Sequence, residues 1–567
     1  MQPHRRQLTF SALLLALGLP LAGCPPPQPT PHPTAAPRPS CQEFWTESKI
    51  PPARQDYDFA SDARPSDRGN VGYAEFAARE GRGACEKEWT VLVYMMADYP
   101  GMPGAALWNL YQMETAFAEP ARAAASGKGA DVVVQLDVFE TPGIRRLHMY
   151  RSPAPFASLA TLDELTGRLP SADKLQSPIA EWVDEDEEAK LSAGESLRRF
   201  LSWGTSHYPA RHYMVIVWGH GFGWRPRDTA AAADLKDLHE LHGGIAPDAS
   251  QHKVIDIPSL HDAMAETSRS LLGGRPFDLY VSDACLMQSV EVVSELADVA
   301  RYVGGAEAKL DPLGLPYRLL LPYLNGSGPP PPPSPRCPPQ DAACQVAMLL
   351  PELTQTAFNP PNDLYVTAPA TGTGPAPADL TRLGRENLTY SAVDAHLVAE
   401  RLQPALQKLG AALDAYLREE GHQMERQQDL MDLLQPHPPS PSRPRFAYAF
   451  PGGARDIGTV LTLLKAQVRL DAQRQGPKAQ PSAAAGQVLA LVDEADAALR
   501  QAVLTATLGS RYSDASYAGM VGMSVWLPTS QQDFAGSIER FAPASFYKPA
   551  PSPWRAWLDT LFAPPKN

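Results

Sequence analysis

The chain has 567 residues, 44% of them hydrophobic, a formal net charge of −13 and a sequence pI near 5.5. That is enough apolar material for two to four domains, or for one large domain with embellishments. The acidity and the lack of any basic stripe exclude the electrostatic footprint of a nucleic-acid binder, and they speak to solubility rather than to fold.

The first 23 residues read as an export signal. His4, Arg5 and Arg6 form a positive start, and residues 8–20 are an apolar run too short for an ordinary membrane span. The Leu-Ala-Gly-Cys that follows at 21–24 resembles a bacterial lipobox, which implies a lipid on Cys24 as the mature N-terminus. The alternative is a secreted protein cut nearby. No later segment has the length and apolarity of a transmembrane helix. Residues 24–87 form a Pro-rich tether and a polar N-terminal segment. The 59 prolines of the chain are about twice the usual share, and they cluster in such tethers and loops.

An α/β pattern begins near residue 88. Continuous apolar runs at 90–96, 131–138, 212–218 and 277–282 predict strands buried on both faces. Residues 145–150 alternate and predict a more exposed strand, and residues 301–305 predict a further one. Helices are expected over 193–206, 257–272 and 286–300. Strands alternating with helices imply a mostly parallel sheet with helices on both faces, whose site lies at the carboxyl ends of the strands. This core is expected to span 88–325. A Pro-rich loop follows at 326–354, and a smaller mixed α+β region packed on the core at 355–567. In that region helices are predicted at 395–417, kinked by Pro404, and at 483–505, with a last strand at 520–528.

Two of these strand ends carry chemistry. Residues 218–224 read Trp-Gly-His-Gly-Phe-Gly-Trp and residues 282–287 read Ser-Asp-Ala-Cys-Leu-Met. His220 and Cys285 thus sit where two strand ends could bring base and nucleophile together, and a nearby imidazole favours the thiolate. A helix opening at Leu286 would add the field of its N-terminus. The N–H groups of Gly221 and Cys285 are the expected oxyanion donors. Gly223 lets the His loop turn back, and Trp218 and Trp224 are expected as walls. Asp283, two residues before Cys285, faces the same side in an alternating strand; its competing role is a helix N-cap. The spacing of His239 and His242 does not fit a zinc helix, and no nucleophile elbow, phosphate loop or dinucleotide fingerprint occurs.

The pair His-Gly-x-Gly-Trp and Asp-Ala-Cys-Leu-Met resembles the clostripain family of cysteine peptidases. The resemblance extends to Val-Tyr-Met-Met-Ala-Asp at 93–98, to residues 304–317 and to Gly-Met-Ser-Val-Trp-Leu-Pro at 522–528. It implies a caspase-like fold, Cys285 as nucleophile, His220 as base, and Asp283 as the acid of a pocket for Arg or Lys at P1. Calcium and self-cleavage between the His and Cys strands, at Arg225, Arg227, Lys236 or Lys253, are further implications; no contiguous calcium loop is present. The chain departs from the resemblance at Gly304-Gly305, at the Tyr-Pro after Asp98, and in a Pro-rich insertion at 329–339. The expectation is an envelope-anchored endopeptidase acting on peptides outside the cytoplasm. Its rivals are a non-catalytic lipoprotein using the fold for binding, and an amidase or transpeptidase using the same acyl-enzyme. Of the remaining cysteines, Cys41–Cys85 and Cys337–Cys344 are the expected pairs, on proximity.

Overall fold

The computed structural model describes residues 86–116, 129–149, 177–227, 243–326, 334–358, 382–435, 447–474, 481–513 and 517–564, apart from positions 140, 142, 150, 178, 184–186, 188, 311–312, 383 and 549. Cys24, Lys236 and the expected Cys41–Cys85 pair lie outside the described residues.

A nine-stranded sheet organises the chain. Its strands are β1 (Lys87–Ala97), β2 (Ala130–Val138), β3 (Ile144–His148), β4 (Ile179–Val183), β5 (Ala210–Trp218), β8 (Phe277–Asp283), β9 (Ala300–Ala306), β10 (Thr389–Asp394) and β12 (Val503–Leu508). The hairpin β6 (Ile245–Asp248) and β7 (Lys253–Ile255) stands apart, as does the pair β11 (Ala454–Asp456) and β13 (Ser524–Trp526). The strand order is β12-β10-β9-β8-β5-β1-β2-β3-β4. The five central strands are parallel, and the pairs at both flanks are antiparallel. This is the expected mostly parallel sheet flanked by helices.

Burial on two faces explains the apolar runs. In β1, Val91, Val93 and Met95 enter one core while Leu92, Tyr94 and Met96 enter the other. The first core is closed by α1 (Pro103–Ala116), α5 (Tyr317–Leu324) and α6 (Ala342–Ala357). The second is closed by α2 (Ala193–His207), α3 (Ile257–Leu271) and α4 (Val290–Glu295), and by α7 (Gln403–Arg418), α8 (Ile457–Arg474) and α9 (Ala483–Ala502). Ser192 and Asp256 cap α2 and α3 by accepting the N–H groups of Glu195 and Ser259.

Four expectations change. The strand expected to be more exposed, β3, is buried along its whole length. The region 355–567 supplies β10 and β12 to the main sheet, so the sheet crosses the expected boundary. Residues 342–354 of the expected loop are helical, and the Leu350 of α6 lies against Gly304. The helix expected over 286–300 is confined to Val290–Glu295. Pro404 enters α7 in its first turn, directly after a π-helical stretch at Val398–Leu402. Cys337 and Cys344 form the expected disulfide at the start of α6. Among the described residues, no helix is long and apolar enough to cross a membrane.

Candidate active site

His220 and Cys285 follow neighbouring parallel strands. Trp218 of β5 pairs with Asp283 of β8, and each candidate lies two residues beyond that pair. The Gly219 N–H donates to the Asp283 carbonyl at 3.3 Å, which continues the pairing past the end of β5. The His loop is then held by the β6 hairpin. The Ala246 N–H donates to the His220 carbonyl, and the Phe222 N–H to the Gly244 carbonyl, each at 2.9 Å. Gly221 passes directly against the nucleophile turn: a Cβ there would lie 2.3 Å from the Cys285 carbonyl oxygen and 3.1 Å from its nitrogen. Gly223 has φ 77°, the turn expected of it.

The turn at Cys285 differs from expectation. β8 ends at Asp283, and the chain reverses through Leu286 at φ 63°. The Leu286 N–H donates to the Ala308 carbonyl and the Gln288 N–H to the Ala306 carbonyl. The left-handed Leu286 interrupts a helix begun at that point, so α4 starts at Val290 with Ser289 as its cap. The N-terminus of α4 therefore does not open at Cys285. The thiol instead receives the Leu310 N–H, whose nitrogen lies 3.2 Å from Sγ, and a donor at that distance favours the thiolate. A non-glycine residue at positive φ directly after Cys285 is a strained position of the kind that collects at active sites.

Cys285 is partly exposed and is not in a disulfide. His220 is partly exposed, and burial lowers its pKa, which keeps the imidazole neutral and able to accept a proton at pH 7. The ring of Tyr99 meets His220 edge-on, with centroids 4.8 Å apart. Trp218 and Trp224 are core residues on opposite faces of the sheet, not walls of the site. The indole N–H of Trp224 donates to the Arg540 carbonyl.

Asp283 is 3% exposed. Its Oδ2 accepts the Leu315 N–H at 3.1 Å and the Tyr317 hydroxyl at 2.8 Å, whereas Oδ1 accepts nothing. Burial pushes its pKa up to about 6 against those two donors. It caps no helix, because the next one starts seven residues later. The alternation argument also ends with the strand, since Cys285 lies in the turn beyond it.

A second acidic group adjoins the His loop. The carboxylate oxygens of Asp98, Asp137 and Asp248, all buried, converge within 4.8 Å of one another. Asp98 also accepts the Ser250 hydroxyl, and burial raises its pKa. Of the candidate cut sites, Arg227 pairs with Asp262 and the Lys253 ammonium donates to the Ala189 carbonyl.

The clostripain-family profile matches residues 124–330, a span that contains both His220 and Cys285. That span resembles the clostripain family of cysteine peptidases. Among solved structures, a secreted C11 cysteine protease from Bacteroides thetaiotaomicron, in complex with an irreversible peptide inhibitor, is 17% identical. The match covers 81% of this chain and 98% of that one, with a TM-score of 0.46. An inactive zymogen C11 protease from Parabacteroides distasonis is 15% identical over 82% of this chain and 98% of that one, also with a TM-score of 0.46. No curated protein matches the chain.

Sequence reasoning gave no role to Tyr99, noted only as a departure after Asp98, or to Leu310, Leu315 and Tyr317, which lie in the 304–317 segment that carried part of the clostripain resemblance. Leu310 acts through its backbone N–H, which leaves no side-chain signature of its own.

Proposed function

We propose that this clostripain-family peptidase is a lipid-anchored endopeptidase of the cell envelope, acting outside the cytoplasm and cleaving after Arg or Lys. The observation that carries the catalytic part is the packing of the His220 loop against the Cys285 turn through Gly221. His220 takes the Cys285 thiol proton, Sγ attacks the scissile carbonyl carbon, and the oxyanion is held by the N–H groups of Gly221 and Cys285. As the C–N bond breaks, His220 gives its proton to the leaving amine. His220 then takes a proton from water, which attacks the thioester and frees the acid. The basic preference is supported by Asp283 Oδ1, a buried carboxylate oxygen without a donor, which a guanidinium or ammonium would supply.

Labelling with an Arg-based acyloxymethyl ketone tests this reading. The expected adduct maps to Cys285, disappears in Cys285→Ala and forms at least 100-fold more slowly in His220→Ala. A protein that neither takes the label nor cleaves Arg or Lys peptides, with and without calcium, overturns it. For the anchor, Cys24→Ser is expected to move the protein from the membrane fraction to the soluble one.

Calcium, which the clostripain resemblance implies, fits Asp98, Asp137 and Asp248: three buried carboxylates form a hard oxygen site that a divalent cation would neutralise. Bound there, it would fix the loop that sets Tyr99 against His220 and take no part in bond making. Calcium is expected to raise Tm by a few degrees in the intact protein and to have no effect in Asp248→Asn, as read by calorimetry.

A further inference from the structure

Neither strand pairing nor hydrogen bonding sets the direction of the His220 ring. The loop backbone is held, because the His220 carbonyl accepts the Ala246 N–H at 2.9 Å. The imidazole is not: among the described residues no hydrogen bond or ion pair reaches either of its nitrogens, and burial is the one influence on its pKa. A general base beside a nucleophile is commonly oriented by a third group that hydrogen-bonds it. Asp98, at the end of the neighbouring strand, does not supply that bond. Its carboxylate accepts the Ser250 hydroxyl at 2.8 Å and converges with those of Asp137 and Asp248.

What does meet the imidazole is the ring of Tyr99. The centroids lie 4.8 Å apart with the planes at 87°, an edge-to-face contact, and Phe222 adds a tilted ring at 6.1 Å. Cys285, His220 and Tyr99 follow three consecutive strands of the row β8-β5-β1. The base therefore has the nucleophile's strand on one side and the strand of Tyr99 on the other. Met95 of β1 pairs with Trp218 of β5, which puts position 99 past the strand end, beside the His loop.

The residues after Tyr99 hold its ring in place. Positions 99–102 read Tyr-Pro-Gly-Met, and the Met102 N–H donates to the Tyr99 carbonyl at 3.0 Å. With Pro100 second and Gly101 third at φ 85°, this is a type II turn, whose third position glycine takes without strain. Pro100 also keeps Tyr99 out of helical backbone. The turn is anchored at both ends. The Tyr99 N–H donates to the Ala97 carbonyl, and the Asp98 carbonyl accepts the Ala249 N–H from the β6–β7 hairpin, each at 2.8 Å. Met102 is buried directly ahead of α1. The Tyr-Pro step that departs from the clostripain resemblance thus supplies both the ring and the turn that holds it.

We propose that Tyr99 is a positioning residue for His220, its ring packed against the imidazole in place of a hydrogen-bonded third group. The inference rests on the peptidase reading, and its experiment separates the two. Wild type, Tyr99→Phe and Tyr99→Ala, with calcium present throughout, are assayed on Arg peptides that carry Gly, Leu or Asp after the scissile bond. An imidazole released into three staggered χ1 wells faces Cys285 only part of the time, so Tyr99→Ala is expected to lose about tenfold in kcat with KM within about threefold. The loss should be the same whichever residue follows the bond, with Tm within a few degrees of wild type. Tyr99→Phe keeps the ring and should stay within about threefold of wild type in kcat. Tyr99→Ala also uncovers the imidazole, so the acid limb of kcat/KM should move up toward the ordinary histidine value. An active wild type whose kcat survives Tyr99→Ala, or falls as far in Tyr99→Phe, or falls for one following residue alone, overturns the positioning role and leaves the peptidase reading intact. A wild type that turns over none of the peptides sinks that reading, and the positioning role with it.

Discussion

A methyl group at position 221 would lie 2.3 Å from the Cys285 carbonyl oxygen, so Gly221→Ala must displace either the His220 loop or the nucleophile turn. A displacement near 1 Å between reacting groups lowers rates by about 100-fold. The expected result is that loss in kcat/KM with Tm within a few degrees of wild type; activity retained within threefold would separate Gly221 from the reacting atoms. At Asp283 the sign follows from burial. On the proposed basic preference, the charged form would bind the P1 side chain, and in the free enzyme the carboxyl gains its proton as pH falls through about 6. The preference for Arg over a neutral P1 residue is therefore expected to rise from pH 5 to pH 7. In Asp283→Asn it should be at least tenfold smaller and flat with pH. These residues were legible because glycines and strand ends mark them in the sequence. The Leu310 N–H was not, because any residue except proline supplies one.

The element that sequence misread is the one after Cys285. Residues 286–300 have helical composition, yet their first backbone groups pair with Ala306 and Ala308, a contact made with a strand that comes later in the chain. Local propensity cannot report such a partner. What remains of the helix, α4, is pinned from the far end of the chain. Ser524 donates its N–H to the Gln288 carbonyl, and Trp526 donates its N–H to the buried Glu291 carboxylate at 2.8 Å. Burial raises the Glu291 pKa from 4.5 to about 7, despite that donor. The folded state thus holds this proton more tightly than the unfolded chain. The associated stability is present in full below about pH 4.5 and is lost as pH rises through about 7, by roughly 3 kcal/mol. Glu291→Gln keeps the acceptor and removes the charge. Urea unfolding is expected to show the variant more stable than wild type at pH 8, with the difference shrinking toward pH 5. Equal stabilities at pH 8 would mean that Glu291 is not desolvated.

At the scale of the molecule, continuous apolar runs announced four of the five parallel strands because each is buried on both faces. The closing of the sheet was not legible. β10 and β12 are short, lie far along the chain, and take their place only by pairing antiparallel to β9 and to each other. Both cores depend on that closure. Tyr390, Ala392 and Leu504 pack into the core that holds Val91 and Trp108, while Leu406, Leu461, Val492 and Trp554 pack into the one that holds Leu92 and Phe200. A chain ending at residue 354 would leave the β9 edge unpaired and uncover the second core, which favours aggregation over an independent peptidase core. Such a truncated protein, compared with the full chain, is expected to show no cooperative thermal transition and no labelling of Cys285. A cooperative melt in the fragment would mean that residues 88–325 fold alone and that the C-terminal region is an attachment. The loss of both readouts together would tie the geometry of the nucleophile to the far end of the sequence, through Ser524, Trp526 and the strands that close the sheet.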